Sequence, residues 1–594
     1  MRSPSVLKRV LPLIALSFLS FAAFASLAAF APGSAAADEL ELGWGGRLQH
    51  NLYFRVEPAS VGGFYKRLEL PAGVERSQST AGLKLDAAYG SIKGVAAVDF
   101  VLSGVQPEVA ELGDLSRVEA VDPYRFEVPA LYVDIKNFLV SGLDMRVGQQ
   151  TVLWGEADQF NPTNNLNPDD LRDPLLFGRQ QGNFMVKLDY WISESFSISG
   201  VLVPIFRPAL LPQSAALGLA AVDRIPVADA FTRHRLEADM AASGGKSLGH
   251  PTVVSRATTE LPDASFENMQ MAYRLAGTIA EQDVALSYYY GRTDFPQAKH
   301  NHTRHSPGER CNPSDASDCV KGLLETDVTL HYPRMHVYGL NVAGEIPLDW
   351  LSEALSGVGY RFEGALVVPT RSTLKITNDA LALEIPQAAG EYDYDADGIA
   401  GGPEPAVIED TPFLKWTVGL DYTFGESVYV NAQWVHGLMD EYGAGDFISE
   451  GYAVRSSSVT SSDIDTISKC ALLKDGTTCA QEVLRNRLGD YIVIGVDYKF
   501  LNDNALLRLF TIWDVTGVKE EHWDRERKER VSTSYSIFSA EGFSAVLYPE
   551  LNYNFGNGLE LGAGALFQLG KEHTKFGDPA TGGDLVWTRG RFSF

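Results

Sequence analysis

The chain has 594 residues, 45% of them hydrophobic and 21% charged, with a formal net charge of −26. So acidic a balance argues against nucleic acid as a partner. The length alone would suggest several domains, yet no linker, low-complexity tract or composition shift divides the chain.

Arg2, Lys8 and Arg9 form a basic start, Val10 to Phe30 is almost wholly apolar, and Ala35-x-Ala37 supplies small residues before Asp38. This is the pattern of a cleaved secretory signal over residues 1–37, leaving 38–594 as the mature chain. The alternative is an uncleaved anchor, since about 20 apolar residues span a bilayer. Later apolar runs are short and interrupted by charge, and the mean hydropathy of −0.08 would pass for a soluble protein. A transmembrane barrel reads the same way, because only alternate residues meet lipid.

Period-two alternation decides between these classes. Trp416, Val418, Leu420, Tyr422 and Phe424 point one way; Lys415, Thr417, Gly419, Asp421 and Thr423 point the other. Phe184, Val186, Leu188 and Tyr190 likewise oppose Asn183, Met185, Lys187 and Asp189. Such segments are predicted near 40–56, 76–89, 92–103, 123–136, 142–154, 182–192, 195–205, 268–280, 283–292, 326–345, 357–369, 411–424, 427–438, 487–500, 504–514, 538–555, 558–570 and 583–594. The gaps alternate between short turns (Tyr89 to Ile92, Ile192 to Ser195, Phe424 to Ser427) and long loops. The expected fold is therefore all-β: a membrane-spanning, antiparallel, up-and-down barrel of about 18 strands, or 16 as the alternative, with long extracellular loops and a cell outer-membrane location.

The third long loop, 155–181, follows Arg146-Val-Gly-Gln-Gln150-Thr-Val-Leu-Trp154-Gly-Glu156-Ala-Asp158, and Asn-Pro recurs at 161–162 and 167–168. Alternation turns Leu143, Met145 and Val147 to lipid and Asp144, Arg146, Gly148 and Gln150 to the lumen. Asn-Pro forces extended, turn-rich backbone, and such a loop can fold into the barrel mouth. There Glu156, Asp158, Asp169, Asp170 and Arg172 would narrow and charge the pore. The structural alternative makes Trp154 an interfacial-belt residue and the Asp/Arg pairs pins that hold the loop to the wall. Arg-x-Gly-x-Gln-x-x-x-Trp-Gly-Glu with Asn-Pro-x-Asp resembles a motif of a large family of proteobacterial outer-membrane proteins described only as a domain of unknown function. The resemblance is strongest over 145–175 and implies transport of envelope lipid or hydrophobic compounds beside an inner-membrane export pump.

Further inward charges are expected at Lys187, Asp189, Arg274, Arg361, Glu363, Lys415 and Asp421, either lining a selective pore or bridging a filled one. Asp393, Asp395, Asp397, the backbone of Ile399 and Glu404 fit the spacing of a calcium loop, which would rigidify the loop 370–410. No other cofactor is implied. His300, His302 and His305 read as a solvated loop before they read as a metal site. Cys311 with Cys319, and Cys470 with Cys479, are close pairs in polar loops and read as local disulfides.

Phe592 and Phe594 end the chain in a way that resembles the terminal-aromatic signal read by the barrel-assembly machinery, although Gly590 and Thr588 depart from it. No Gly-x-Ser-x-Gly, His-Glu-x-x-His, phosphate loop or dinucleotide fingerprint occurs. The function expected is a channel for small or amphipathic solutes and not an enzyme. A lipid conduit partnered with an inner-membrane pump or periplasmic carrier, an outer-membrane enzyme and a structural barrel are the rivals. Outer-membrane lipid is the surrounding partner; the oligomeric state is open.

Overall fold

The computed structural model describes residues 40–61, 68–103, 124–173, 178–212, 214–215, 252–305, 309–312, 315–321, 324–346, 357–370, 373–378, 404–407, 412–439, 441, 488–524, 529–572 and 574–594. The signal segment, Asp393, Asp395, Asp397, Ile399, Cys470 and Cys479 lie outside them.

Eighteen strands form one sheet. They are β1 (Glu41–Arg55), β2 (Gly73–Tyr89), β3 (Ile92–Ser103), β4 (Tyr124–Ile135), β5 (Leu143–Gln150), β6 (Asn183–Trp191), β7 (Phe196–Val203), β8 (Gln270–Ile279) and β9 (Gln282–Arg292). Then come β10 (Arg334–Ile346), β11 (Val358–Pro369), β12 (Phe413–Phe424), β13 (Val428–His436), β14 (Asp490–Phe500), β15 (Ala505–Asp514), β16 (Ser544–Asn554), β17 (Leu559–Gly570) and β18 (Leu585–Ser593). Each strand pairs antiparallel with its neighbour in the chain, and β18 pairs back onto β1, with Arg47 opposite Ser593 and Arg55 opposite Leu585. The last residue helps close the ring: Gly46 and Phe594 exchange backbone hydrogen bonds of 2.9 and 3.0 Å. No open edge is left at that seam, which is what a lipid environment demands of a sheet.

The alternation reads out as two surfaces. Leu48, Leu52, Phe54, Leu83, Leu286, Leu340, Leu420 and Leu561 are exposed on the outside, while Asn51, Asp99, Asn341, Glu363, Thr417 and Gln433 are buried within. Outward aromatics gather in two rows. Trp44, Trp191, Phe424, Tyr498 and Phe555 stand at the turn end; Tyr124, Phe126, Tyr338, Trp434 and Trp513 stand at the loop end. Two such girdles with an apolar band between them mark a bilayer-spanning barrel.

Three sequence expectations are corrected. The segment 326–345 is two strands, because Pro333, which has no N–H to give a ladder, separates Leu324–His331 from β10. The strand expected over 142–154 stops at Gln150, and the segment 538–555 becomes a strand only from Ser544. The loops also carry structure that alternation did not reveal. Thr252–Thr259, Leu324–His331, Gln297–His305, Thr373–Asn378 and Glu404–Val407 form a separate five-stranded sheet. His300, His302 and His305 thus lie on a strand, and Glu404 opens one opposite Ile376. Cys311 and Cys319 are direct register partners on a small hairpin.

Candidate functional site

After Gln150 the chain leaves the wall and crosses the lumen. Two glycines permit this. Gly148 has φ +132°, and a Cβ there would sit 2.2 Å from the Leu131 carbonyl oxygen. Gly155 has φ +136°, and its Cβ would sit 2.7 Å from Glu363 Oε2. L side chains rarely adopt such backbone, so both glycines of the motif are explained by geometry. Gln150 is 1% exposed and donates to the Met185 carbonyl at 3.1 Å. Trp154 is 4% exposed and packs with Val152, Leu166, Met185, Val201 and Met335 inside the barrel. Its interfacial-belt reading is therefore wrong: the residue follows the chain inward because β5 has already ended.

The first part of the loop is held against one wall. Glu363 of β11, 0% exposed, accepts the N–H groups of Glu156 (3.0 Å), Ala157 (3.2 Å) and Thr163 (2.9 Å) and the Thr163 hydroxyl (2.7 Å). Arg361 pairs with Asp158 at 2.7 Å and also with Asp421. Arg274 of β8 reaches Glu156 at 3.3 Å. Thr417 donates to the Phe160 carbonyl at 2.8 Å, Asn431 donates to the Asp158 carboxylate and Gln433 to its carbonyl at 3.3 Å. Loop asparagines satisfy the loop's own backbone: Val152 N–H donates to Asn167 Oδ1 at 2.8 Å, and Asn167 Nδ2 donates to the Gln181 carbonyl at 2.9 Å.

The second part is held against the opposite wall. Asp173 accepts from the Tyr53 hydroxyl of β1 at 2.9 Å and pairs with Arg76 of β2 at 3.1 Å. Asp170 takes Arg172 through two bonds of 2.9 Å, and Arg172 reaches Glu127 of β4 at 3.3 Å. In a ring of eighteen, β2 and β11 are nine places apart, so the loop is fastened at both ends of a diameter. It forms a bar across the lumen. Apolar inward residues fill in on each side of it, and Phe160 joins a second cluster with Tyr491, Ile512, Tyr548 and Trp587.

Of the charges named from sequence, Arg274, Arg361 and Glu363 touch the bar, and Asp421 holds Arg361. Lys187 pairs with Asp189 at 2.7 Å beside β5, Arg146 pairs with Asp134 at 2.7 Å, and Lys415 donates to the Leu438 carbonyl at 2.6 Å. Asp169 gives its N–H to Asp294 and receives Gln180 Nε2 at 3.1 Å. The residues not anticipated are mostly neutral: Tyr53, Asn164, Asn167, Asn341, Asn431 and Gln433. Amides at inward positions of otherwise simple strands were the available signal.

On the loop side of the bar lies a cavity of about 330 Å³, bounded by Phe160, Asn161, Asn165, Asp294, Phe413 and Lys415 among others. Burial pushes the Asp294 carboxyl up, opposed in part by the N–H of Asp169 and the charge of Lys415. Glu441, also on its edge, behaves oppositely. Burial would raise it, but Lys575 at 2.9 Å and donors from Tyr491 and Gly489 prevail and hold it down at about 2. The cavity wall thus offers one anion that stays ionised, one carboxyl that resists ionisation, and apolar faces between them. Among the described residues no group of three or more His, Cys, Asp or Glu side chains could hold a metal ion.

No family model matches the chain, and no curated protein does. Solved structures similar in outline include OccAB1 of Acinetobacter baumannii, with 10% identity and a TM-score of 0.41 over 93% of this chain and 96% of that one. OccK9 (OpdG) of Pseudomonas aeruginosa has 10% identity and a TM-score of 0.41 over 93% and 98%. OpdK of Pseudomonas aeruginosa with vanillate has 8% identity and a TM-score of 0.39 over 93% and 98%. The barrel assignment stands on this chain's own ladders.

Proposed function

We propose that the chain is an outer-membrane channel for small amphipathic solutes, with the loop 155–181 setting its selectivity. The observation that carries this reading is the bar fastened to both walls. It bounds a cavity of about 330 Å³, within the range of roughly 300–1,000 Å³ usual for small-molecule sites. The lining mixes Phe160 and Phe413 with Asn161, Lys415 and Glu441, which suits a solute with one apolar and one polar end. Movement along it would be passive or driven by a partner. A conduit for hydrophobic compounds, fed by an inner-membrane pump or periplasmic carrier, is the second reading. It draws on the resemblance around Trp154 and on the two apolar clusters inside the barrel.

The test is current in planar bilayers together with flux of benzoate and glucose into proteoliposomes. The channel reading expects discrete currents and faster entry of benzoate. Arg361→Gln removes the positive partner of Asp158 and Asp421 and should shift reversal potentials toward cation preference. Absence of both current and flux from folded protein would contradict the proposal.

A further inference from the structure

The outer surface of the wall carries a facing pair of like charges. In the ladder of β9 and β10, Leu286 lies opposite Leu340, Tyr288 opposite Tyr338, Tyr290 opposite His336 and Arg292 opposite Arg334. Leu286, Tyr338 and Leu340 are exposed on the outside, so the period of two puts both arginines on that same face. They stand one outward step beyond Tyr290 and His336, about 7 Å along the strands, at the loop end where the aromatic girdle gives way to headgroups. Like charges directly opposite one another across a ladder are destabilising.

The two guanidinium groups converge instead of splaying apart. Arg292 Nη2 donates to Asn268 Oδ1 at 2.7 Å, and Arg334 Nη2 donates to the same oxygen at 3.4 Å. Arg292 Nη1 donates to the Tyr332 carbonyl at 2.6 Å, and Arg334 also donates to the Glu267 carbonyl. All of these acceptors are neutral, and the ion pairs among the described residues include neither arginine. Two forks of five N–H donors each make these four hydrogen bonds, and Arg292 Nε is left without an acceptor among the described residues. The turn Phe266–Asn268, which supplies two of the acceptors, also presents Phe266, 87% exposed. Below the pair, the Arg334 guanidinium lies 5.1 Å from the centre of the Tyr290 ring, and that ring stacks on His336 at 4.8 Å. An aromatic ledge thus leads from the cations down to the apolar band.

We propose that Arg292 and Arg334 form a binding site for the phosphorylated headgroup of an outer-leaflet lipid, whose apolar part lies along Tyr290 and Tyr338. A phosphate can take both guanidinium forks through parallel hydrogen bonds and so cancel the repulsion between them. Free phosphate has the same charge, but the ledge of aromatic rings gives a lipid an apolar contact that the ion lacks. The site lies on the outside of the wall. It goes beyond the passage of solutes through the barrel and does not depend on it.

The test is native mass spectrometry of the full chain, folded in a neutral detergent. The probes are a glucosamine-based lipid bearing two phosphates, the same lipid with its phosphates removed, and inorganic phosphate. Wild type is expected to retain the phosphorylated lipid about tenfold more tightly than the dephosphorylated one, and to keep it in excess inorganic phosphate. Arg292→Gln and Arg334→Gln should each weaken retention about tenfold, the size of one charge-assisted hydrogen bond, and Arg334→Lys should weaken it less. Lys93→Gln, which removes a cation paired with Asp86 at the turn end, should change nothing. Folding is checked by heat-dependent gel mobility; if neither Gln variant folds, the wild-type comparison of the two lipids and the Arg334→Lys protein decide. If the arginines serve only to pin the turn Phe266–Asn268, the Gln variants will lose thermal stability yet retain the lipid as wild type does, and the proposal falls. It falls equally if the dephosphorylated lipid is held as well, if inorganic phosphate displaces the lipid, or if Lys93→Gln loses as much.

Discussion

Glu363→Ala is expected to release the bar from its wall. The carboxylate holds three backbone N–H groups and one hydroxyl of the loop, and hydrogen bonds to a charged group contribute roughly 1.5–3 kcal/mol each. They are not additive, so at least about 3 kcal/mol of loop docking should be lost. Glu363→Gln keeps the volume but turns one acceptor into a donor facing N–H groups, and it should fall between wild type and Ala. The measurement is mean single-channel current with its flicker, beside the thermal midpoint. A freed loop raises the mean current and the noise while the barrel midpoint moves little, because the wall ladders are untouched. An unchanged current would mean that Glu363 does not hold the constriction.

Trp154→Ala should cost about 3–5 kcal/mol, the usual range for emptying a buried aromatic site. The side chain sits among Leu166, Met185, Val201 and Met335, so its loss opens a void between the root of the bar and the inner wall. Trp154→Phe should cost less. The effect is expected in unfolding of the loop-end half, read by hydrogen exchange of Val152 and Trp154, which Asn167 and Asn164 otherwise hold. Exchange at wild-type rates in Trp154→Ala would argue that the residue merely covers the loop.

The eighteen strands were legible in the sequence because the bilayer enforces the alternation: a slip of one residue would turn each charged inward face to lipid. Their ends were less legible. Tyr332-Pro333 inside a long alternating run, and Pro129 inside β4, each marked a break that the hydrophobic pattern ran straight through. The sheet holding Gln297–His305 and Leu324–His331 was hidden because it stands clear of the two-faced pattern a lipid wall imposes.

In the site, the loop and its charges could be named, but their partners could not. Glu363 binds backbone, which has no sequence signature. Asp173 and Tyr53 are 120 positions apart, and only closure of the barrel joins them. The motif read first as a pore signature serves architecture to a large extent. Gly148 and Gly155 turn the chain, Gln150 and Trp154 seat it, and Glu156 and Asp158 are both bound by arginines of the wall.

Residues 155–173 lie across the lumen with Asp158 against β13, and a cysteine pair tests that placement. With Cys311, Cys319, Cys470 and Cys479 replaced by serine, Asp158→Cys and Asn431→Cys are introduced together. A control combines Asp158→Cys with Thr80→Cys on the facing wall. Because Asn431 donates to Asp158, a short bifunctional thiol reagent such as dibromobimane, which bridges thiols slightly beyond disulfide reach, is expected to join the first pair in folded protein and not the second. Failure of the first pair to be bridged, or equal bridging of both, would contradict that placement.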